Sequence, residues 1–253
     1  MWAARNGHFE CANALCRRAS GHFATGGQAE AELDAVNEHG STALMVAATC
    51  GHAKIIAALA QAGAFWSDID RIEIAQQARA ARSQRKELAF NRTYQSSRLK
   101  AQALDATRKI AADAGKIDRA WASQLVASLG AGDYAELVSI VAAVSAIDAF
   151  CEALGRSHEP LPEPDGGSCH AGQAEGARDI GGYLPMVDPW TGPNVSRALS
   201  LVPSANELFM NNVRTMYGGN GGGFTDMVWD GPLSRPQAEL LAARVSSINE
   251  CFY

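Results

Sequence analysis

The sequence NEHGSTALMVAATCGHAKIIAALAQAGA at residues 37–64 predicts a helix, a tight turn and a second helix. Thr42 can cap the short first helix, because its side-chain oxygen can accept a hydrogen bond from a backbone N–H of the first turn. Gly51 turns the chain, and Gly63 follows the second helix at the position where glycine commonly ends a helix. The segment therefore indicates that the chain begins with a helix-turn-helix unit.

Part of this unit also occurs 44 residues earlier in the chain. Ala3-Ala4-Arg-Asn-Gly7-His8 corresponds to Ala47-Ala48-Thr-Cys-Gly51-His52. The Gly-x-Thr-x-Leu and Gly-His elements together resemble the ankyrin repeat, although Ala43 and Met45 replace the proline and the histidine of its signature. The resemblance implies helix-turn-helix repeats over residues 1–66 that bind an unknown protein partner.

The ankyrin-like segment, residues 1–66, is expected to be partial. Its spacing exceeds the ankyrin period of about 33 residues, so residues 20–32 are interpreted as an inserted loop, and the first copy begins inside its first helix. Two repeats bury too little apolar surface on their own, because each one needs a stacked neighbour. Either something else covers the second repeat, or the array is cut short. The turn histidines, His8 and His52, are expected to form structural hydrogen bonds.

A basic stretch follows the ankyrin-like segment. Residues 71–119 contain 12 Lys and Arg against 5 Asp and Glu, in an alanine- and glutamine-rich context that favours helix. One interpretation is an electrostatic contact with RNA or an acidic partner, and the other is a solvated helical connector with arginine stems along its surface. Because no RNA-binding motif or aromatic interleaving accompanies the charge, we interpret residues 67–102 as a basic helical connector without a nucleic-acid partner.

A long helix is predicted next. Asp133-Tyr-Ala-Glu136 has the pattern of a capping box, and the helix it opens should end near Leu154-Gly155. Its core face consists of apolar residues spaced by three and four: Leu137, Ile140, Val141, Val144, Ile147, Cys151 and Leu154. Residues 156–193 are rich in Pro and Gly and predict a long loop that is either functional or draped over the surface.

Helices are also predicted at residues 194–203 and 204–217, and a last helix is predicted to begin at Ser234-Arg-Pro-Gln237. This last part of the chain carries a spaced motif: Pro193-Asn-Val-x-Arg-Ala-Leu, Leu233-Ser-Arg-x-Gln-x-Glu239-Leu and Val245-Ser-x-x-Asn-x-Cys251-x-Tyr253. The motif resembles the alkylhydroperoxidase D-like family, which includes the carboxymuconolactone decarboxylases, and is closest to its peroxidase-related branch.

This second resemblance covers residues 103–253 and implies an all-helical domain that assembles as a homo-oligomer. The chain as a whole is therefore expected to be all-α, with short ankyrin repeats followed by a helical alkylhydroperoxidase D-like domain. We expect no cofactor and no metal. Cys169-His170 supplies at most half of a metal site, because no second ligand pair with zinc-like spacing is present.

The resemblance also implies thiol-dependent peroxidase chemistry, in which Glu239 corresponds to the proton-relay acid and Cys251 to the first of two cysteines. A thiolate attacks the O–O bond of an organic or hydrogen peroxide, and a neighbouring thiol and a dithiol reductant then restore it. The second cysteine and the histidine of the family pattern would lie beyond Tyr253. We therefore expect this chain as written to retain the resolving cysteine and not to turn over peroxide.

Two alternatives to this chemistry remain open. Cys251 can instead be a small buried hydrophobe, which is the usual state of an unmodified cysteine. It lies about 120° from Glu239 around an unbroken helix at ~100° per residue, so the two groups meet only if the helix bends near Asn249 or side-chain length makes up the difference. The competing function is a non-catalytic ankyrin-repeat scaffold with a remnant helical domain.

The composition favours a globular protein, with 47% hydrophobic and 19% charged residues. The net charge of −5 gives no indication of a nucleic-acid or anionic-membrane partner. The apolar run 137–147 is too short to cross a bilayer, and the first residues lack a signal-peptide pattern. The six cysteines lack disulfide-framework spacing. A reducing, cytoplasmic location is therefore expected, without a membrane partner.

Overall fold

The computed structural model of the chain describes residues 52–82, 101–170, 172–216 and 234–248. Within these ranges helices dominate, and the strands are two segments of two residues each. The all-α class expected from the sequence is confirmed.

The described part of the ankyrin-like segment is helical at residues 52–57 and continues as a 3-10 turn at Ala58–Ala60. The helices that follow are α1 (Asp68–Arg82), α2 (Ala101–Asp113), α3 (Arg119–Leu129), α4 (Ala131–Ala153), α5 (Pro203–Met216) and α6 (Arg235–Ile248). Two further 3-10 turns are Ala114–Lys116 and Asn194–Arg197, and β1 (Ala177–Arg178) pairs antiparallel with β2 (Met186–Val187). We refer to α1–α5 and the described loops between them as the helical body.

The central helix of the helical body is α4, against which α1, α2, α3 and α5 all pack. Its predicted apolar face is confirmed. The following residues of that face are at most 1% exposed: Leu137, Ile140, Val141, Val144 and Ile147. The helix also ends where the sequence predicts, because the chain turns at Leu154 and Gly155 has a positive φ of 63°.

The start of α4 differs from the predicted capping box. The helix begins at Ala131 behind Gly130, whose φ of 108° favours glycine, so Asp133 lies inside the first turn. The Glu136 carboxylate accepts hydrogen bonds from the backbone N–H groups of Phe65 and Trp66. The capping prediction for Glu136 is wrong because a segment far away in sequence binds that carboxylate.

Helix α1 corrects the expectation of a solvated basic connector. Eleven of its fifteen residues are buried, including Arg71 and Arg79. Each arginine lies beside a carboxylate of α4, at Glu136 and Asp148 respectively, so the charges are compensated inside the fold. The expected surface exposure is therefore wrong over residues 68–82, whereas residues 83–100 lie outside the described part of the chain.

Helix α4 also has the length and composition of a membrane span. It contains 23 residues, and an 18-residue window within it has a mean hydropathy of 1.7. However, 67% of that window is buried inside the fold, and core helices of soluble proteins combine the same features. The helix is longer than the apolar run seen in the sequence, and its burial by neighbouring helices accounts for its hydropathy.

Residues 194–202 form a 3-10 turn and a further turn rather than the helix predicted at 194–203, whereas α5, which begins at Pro203, agrees with the helix predicted at 204–217. The physical reason is the Asn206 side chain. Its amide donates to Ser196 O, and its Oδ1 accepts from Leu199 N–H. These bonds hold the preceding segment in a turn, because the asparagine side chain offers the backbone an alternative to helical hydrogen bonds.

Helix α6 begins as the sequence predicts. Ser234 N–H donates to Gln237 Oε1 over 2.8 Å, which is the reciprocal bond of a capping box. The apolar side chains of this helix are largely exposed: Leu240 70%, Leu241 56%, Val245 57% and Ile248 63%. The helix therefore contributes little to the core formed by the described residues.

Candidate functional site

The two residues that the resemblance assigns to peroxide chemistry are Glu239 and Cys251. The structure places Glu239 on α6 with an exposed side chain. Cys251 lies outside the described residues. Their role stays a prediction.

The described residues instead bring several functional groups together where the ankyrin-like segment meets the helical body. Glu136, 2% exposed, lies at the centre of this junction. Its Oε2 accepts from Phe65 N–H at 2.7 Å and from Trp66 N–H at 3.3 Å. Its Oε1 lies 3.7 Å from Arg71 Nη1. Helix α4 thus provides an acceptor for two backbone donors that follow the second ankyrin-like repeat.

Burial governs the protonation chemistry of this junction. Desolvation raises the pKa of Glu136, and the opposing effects of the Phe65 and Trp66 hydrogen bonds and of the Arg71 charge are smaller. Desolvation likewise lowers the pKa of Arg71, although Glu136 and Asp165 act in the opposite direction. The carboxylate therefore takes up a proton more readily here than in water.

Two glycines allow the ankyrin-like segment and the helical body to approach each other closely. A Cβ atom at Gly63 would lie 1.4 Å from Glu136 Oε1, and a Cβ atom at Gly132 would lie 2.2 Å from the ring of Phe65. Trp66 adds a hydrogen bond from its indole Nε1 to Asp133 O at 2.9 Å. The junction is thus a packed contact that larger residues at either glycine would disturb.

The long loop 156–193 also takes part in this junction. Asp165 N–H donates to Ala60 O and His170 N–H donates to Gly63 O, each at 3.0 Å. Gly166 N–H donates to the Asp68 carboxylate at the start of α1. Backbone hydrogen bonds therefore connect this loop to the ankyrin-like segment, and no local sequence pattern predicts them.

A cleft of about 490 Å³ opens beside these contacts. Its lining residues come from the junction and from the long loop: Ala64, Phe65, Ser67, Asp133, Gly167, Ser168 and Cys169. Cys169 is a half-exposed thiol. The lining offers hydrogen-bonding groups and an aromatic ring. Among the described residues, no group of three or more His, Cys, Asp or Glu could hold a metal ion beside Cys169 and His170 or elsewhere.

A second charged cluster joins α1 to the end of α4. Arg79 binds Asp148 through two parallel contacts, with both Nε–Oδ2 and Nη2–Oδ1 at 2.8 Å. The side chains are 8% and 1% exposed. His158 Nε2 lies 3.0 Å from Glu152 Oε1, and Arg82 Nη2 lies 3.3 Å from Glu152 Oε2. The carboxylates of Asp148 and Glu152 thus join α1 to the end of α4, so the cluster is a structural link between elements.

His52 is packed differently from the expected hydrogen-bonded turn histidine. It is 1% exposed, and its ring meets Phe150 edge-on with centroids 4.7 Å apart. Neither ring nitrogen has a hydrogen-bond partner within the described ranges. Burial lowers the pKa of His52, which favours the neutral ring. The expected hydrogen bond is replaced by an aromatic contact with α4.

Comparison with protein families identifies the first part of the chain. Residues 1–70 match the family model described as ankyrin repeats (3 copies). This segment is an ankyrin-repeat segment. Its 70 residues have room for two repeats of about 33 residues, and ankyrin repeats generally provide surfaces for protein–protein interaction.

The comparisons with curated proteins and with solved structures give no match. The ankyrin part of the resemblance is confirmed, and it supports a protein-binding module in the first 70 residues. Nothing in the comparisons supports the alkylhydroperoxidase D-like resemblance over residues 103–253, which stays a prediction.

Proposed function

We propose that the chain is a protein-interaction module that binds a partner protein through its ankyrin repeats. The observation that carries this proposal is the family match over residues 1–70. Ankyrin repeats stack into extended surfaces on which side chains that do not serve the repeat core are available for binding. The partner is a protein, because this class of surface is broad and has no built-in cofactor or catalytic group.

The described end of the ankyrin segment has a face that suits such a role. Four residues of the helix and its continuation are exposed on one side: Ala53, Lys54, Ala57 and Gln61. The opposite side is buried through Ile55, Ile56 and Leu59. Small side chains around one lysine leave the helix surface accessible to another protein, whereas the buried side keeps the repeat folded.

The proposal is tested by mapping where a partner binds on the intact chain. Affinity capture with the full chain supplies a candidate protein, which is purified and titrated against the full chain to establish saturable binding. Hydrogen–deuterium exchange is then measured with and without the saturating partner. We expect slower exchange in peptides from residues 1–61 and unchanged exchange in α2 and α5.

The peptides of the helical body provide the control, because the same exchange experiment measures them together with the peptides of the ankyrin segment. Protection confined to α2, α3 or α5 would contradict binding through the ankyrin repeats. Absence of saturable binding by any captured protein after purification would also count against the proposal.

A second candidate function is a thiol-dependent peroxidase-like activity of the parent family, in which Cys251 corresponds to the resolving cysteine and Glu239 to the proton relay. The motif between Leu233 and Tyr253 supports it, together with the capped helix α6 that carries Glu239. In this chemistry an attacking thiolate forms an S–O bond as the O–O bond of the peroxide breaks, and the alkoxide or hydroxide takes a proton. Cys251, as the resolving thiol, then condenses with the sulfenic acid to a disulfide and releases water. A dithiol reductant then reduces that disulfide to two thiols and is itself oxidised to a disulfide.

Peroxide consumption by the full chain, with dithiothreitol as reductant, tests this second candidate beside the variant Cys251→Ser. A slower rate in the variant is expected if Cys251 reacts. Cys151→Ser provides a matched control, because that thiol is 3% exposed and burial raises its pKa. Equal rates in the wild type and in Cys251→Ser would remove any role for the Cys251 thiol.

A further inference from the structure

We propose that the helical body is the C-terminal cap of the ankyrin array, docked on the second repeat through α4 and the loop at residues 165–170. A terminal repeat of such an array exposes an apolar face unless a capping element covers it. The proposal rests on the ankyrin assignment of residues 1–70 and is independent of which partner the array binds.

The apolar contact is the first observation that carries the proposal. Ile55, Ile56 and Leu59 are 6%, 1% and 0% exposed, and they belong to the same buried cluster as the core face of α4. Helix α1 packs on the turn Ala58–Ala60. The ring contact of His52 with Phe150 extends the same interface. The helical body thus covers the side of the repeat that a further repeat would otherwise cover.

The second observation concerns the end of the repeat's last helix. The final carbonyl groups of a helix have no partner within it, so another group must bind them. Ala60 O, at the end of the 3-10 turn that continues this helix, accepts from the backbone N–H of Asp165, and Gly63 O, three residues further on, accepts from the backbone N–H of His170. A loop about a hundred residues further along the chain therefore supplies one donor at the end of this helix and a second donor to the segment that follows it.

The third observation is the fit of the two surfaces. Gly63 lies against the Glu136 carboxylate, and Gly132 lies against the Phe65 ring, so each side contributes one glycine and one larger group. The hydrogen bonds from Phe65 and Trp66 to Glu136 fix the same alignment. Such a contact specifies one docking geometry. A cap requires a single geometry, whereas a flexible connection between the two parts would not.

Native-state hydrogen exchange on the full chain tests the cap with the variants Gly63→Ala and Gly132→Ala. Each adds one methyl group on one side of the junction, and we expect exchange to become about tenfold faster on both sides, in residues 52–62 and in residues 131–140. Alanine is the better helix former, so loosening by Gly132→Ala inside α4 has to come from the contact with Phe65. Gly172→Ala is the matched control, because a Cβ atom at this position would lie 3.8 Å from its nearest neighbour, His170 O, which is an ordinary contact distance.

If either variant does not fold, the wild-type protein still decides the question. A cap predicts that residues 52–62 and 131–147 exchange through one cooperative opening with the same dependence on denaturant. Separate openings of these two regions would overturn the proposal, as would a Gly132→Ala protein in which exchange of residues 52–62 is unchanged. Failure of partner binding with joint opening intact would reject the proposed function and leave the cap in place.

Discussion

Glu136 is a buried carboxylate whose two oxygens face different groups. Oε2 accepts from the backbone of Phe65 and Trp66, whereas Oε1 faces Gly63 and the Arg71 guanidinium. Desolvation nevertheless outweighs these favourable contacts, because it raises the pKa of the carboxyl above its ordinary value of 4.5. The residue therefore makes the stability of the junction depend on pH.

The sign of this dependence follows from the direction of the pKa shift. A carboxyl whose pKa is higher in the folded chain binds its proton more tightly there than in the unfolded chain. Its contribution to stability is complete below the unfolded value of 4.5 and is lost as pH rises through the raised folded value. The variant Glu136→Gln is neutral at every pH, so it should lack this loss.

We accordingly expect the free energy of unfolding of the wild type to fall relative to that of Glu136→Gln as the pH rises above 4.5. Urea unfolding followed by circular dichroism at each pH measures the difference. Glu159, whose pKa is also raised by burial, is present in both proteins and drops out of the comparison. Glu207→Gln, at an exposed position on α5, is the control, and parallel profiles for the wild type and Glu136→Gln would contradict the assignment.

At the scale of the elements, the link between α1 and α4 rests on two buried ion pairs. Arg71 meets Glu136 near the start of α4, and Arg79 meets Asp148 near its end. The basic character of α1 was visible in the sequence, but the carboxylates that compensate it lie about 70 residues away. Burial of this helix could not be predicted because charge alone does not reveal its partner.

The Arg79–Asp148 pair gives a prediction for these elements. Asp148→Asn should lower the free energy of unfolding by about 3 kcal/mol, because it leaves the Arg79 charge buried without a counter-charge. Chemical denaturation measures the loss. Asp113→Asn is the control, since Asp113 and its partner Lys116 have side chains 45% and 74% exposed, and a pair of this kind contributes about 0–1 kcal/mol.

A double variant distinguishes the effect of an unpaired buried charge from the effect of changing the side chain at position 148. Arg79→Met combined with Asp148→Leu removes both charges, and we expect it to recover most of the stability lost in Asp148→Asn, because no buried charge is left unpaired. A double variant as unstable as the single one would show that the pair itself does not explain the loss.

At the scale of the whole molecule, the ankyrin segment and the helical body share one buried cluster that runs from Ile55 to Leu208. Helices α1 and α4 and the loop at residues 165–170 pack against the described end of the second repeat, which favours the alternative in which something else covers it over an array cut short. The net charge of −5 gives no indication of these buried ion pairs. Arg71 and Arg79 of α1 lie beside carboxylates of α4, so their charges are compensated inside the fold.

The sequence by itself determined the helical class, the ankyrin repeats, the apolar face of α4 and the capped start of α6. These features depend on residue spacing, on turn glycines and on bonds between neighbours, as between Ser234 and Gln237. Only the tertiary structure decided which groups bind the Glu136 carboxylate. The Phe65 N–H that it accepts from lies 71 residues away, whereas the local pattern predicts a capping bond to the start of its own helix. The tertiary structure also decided that Gly63 and Gly132 are contact residues. The sequence shows that these positions are glycines, but it does not show that Glu136 and Phe65 pack against them.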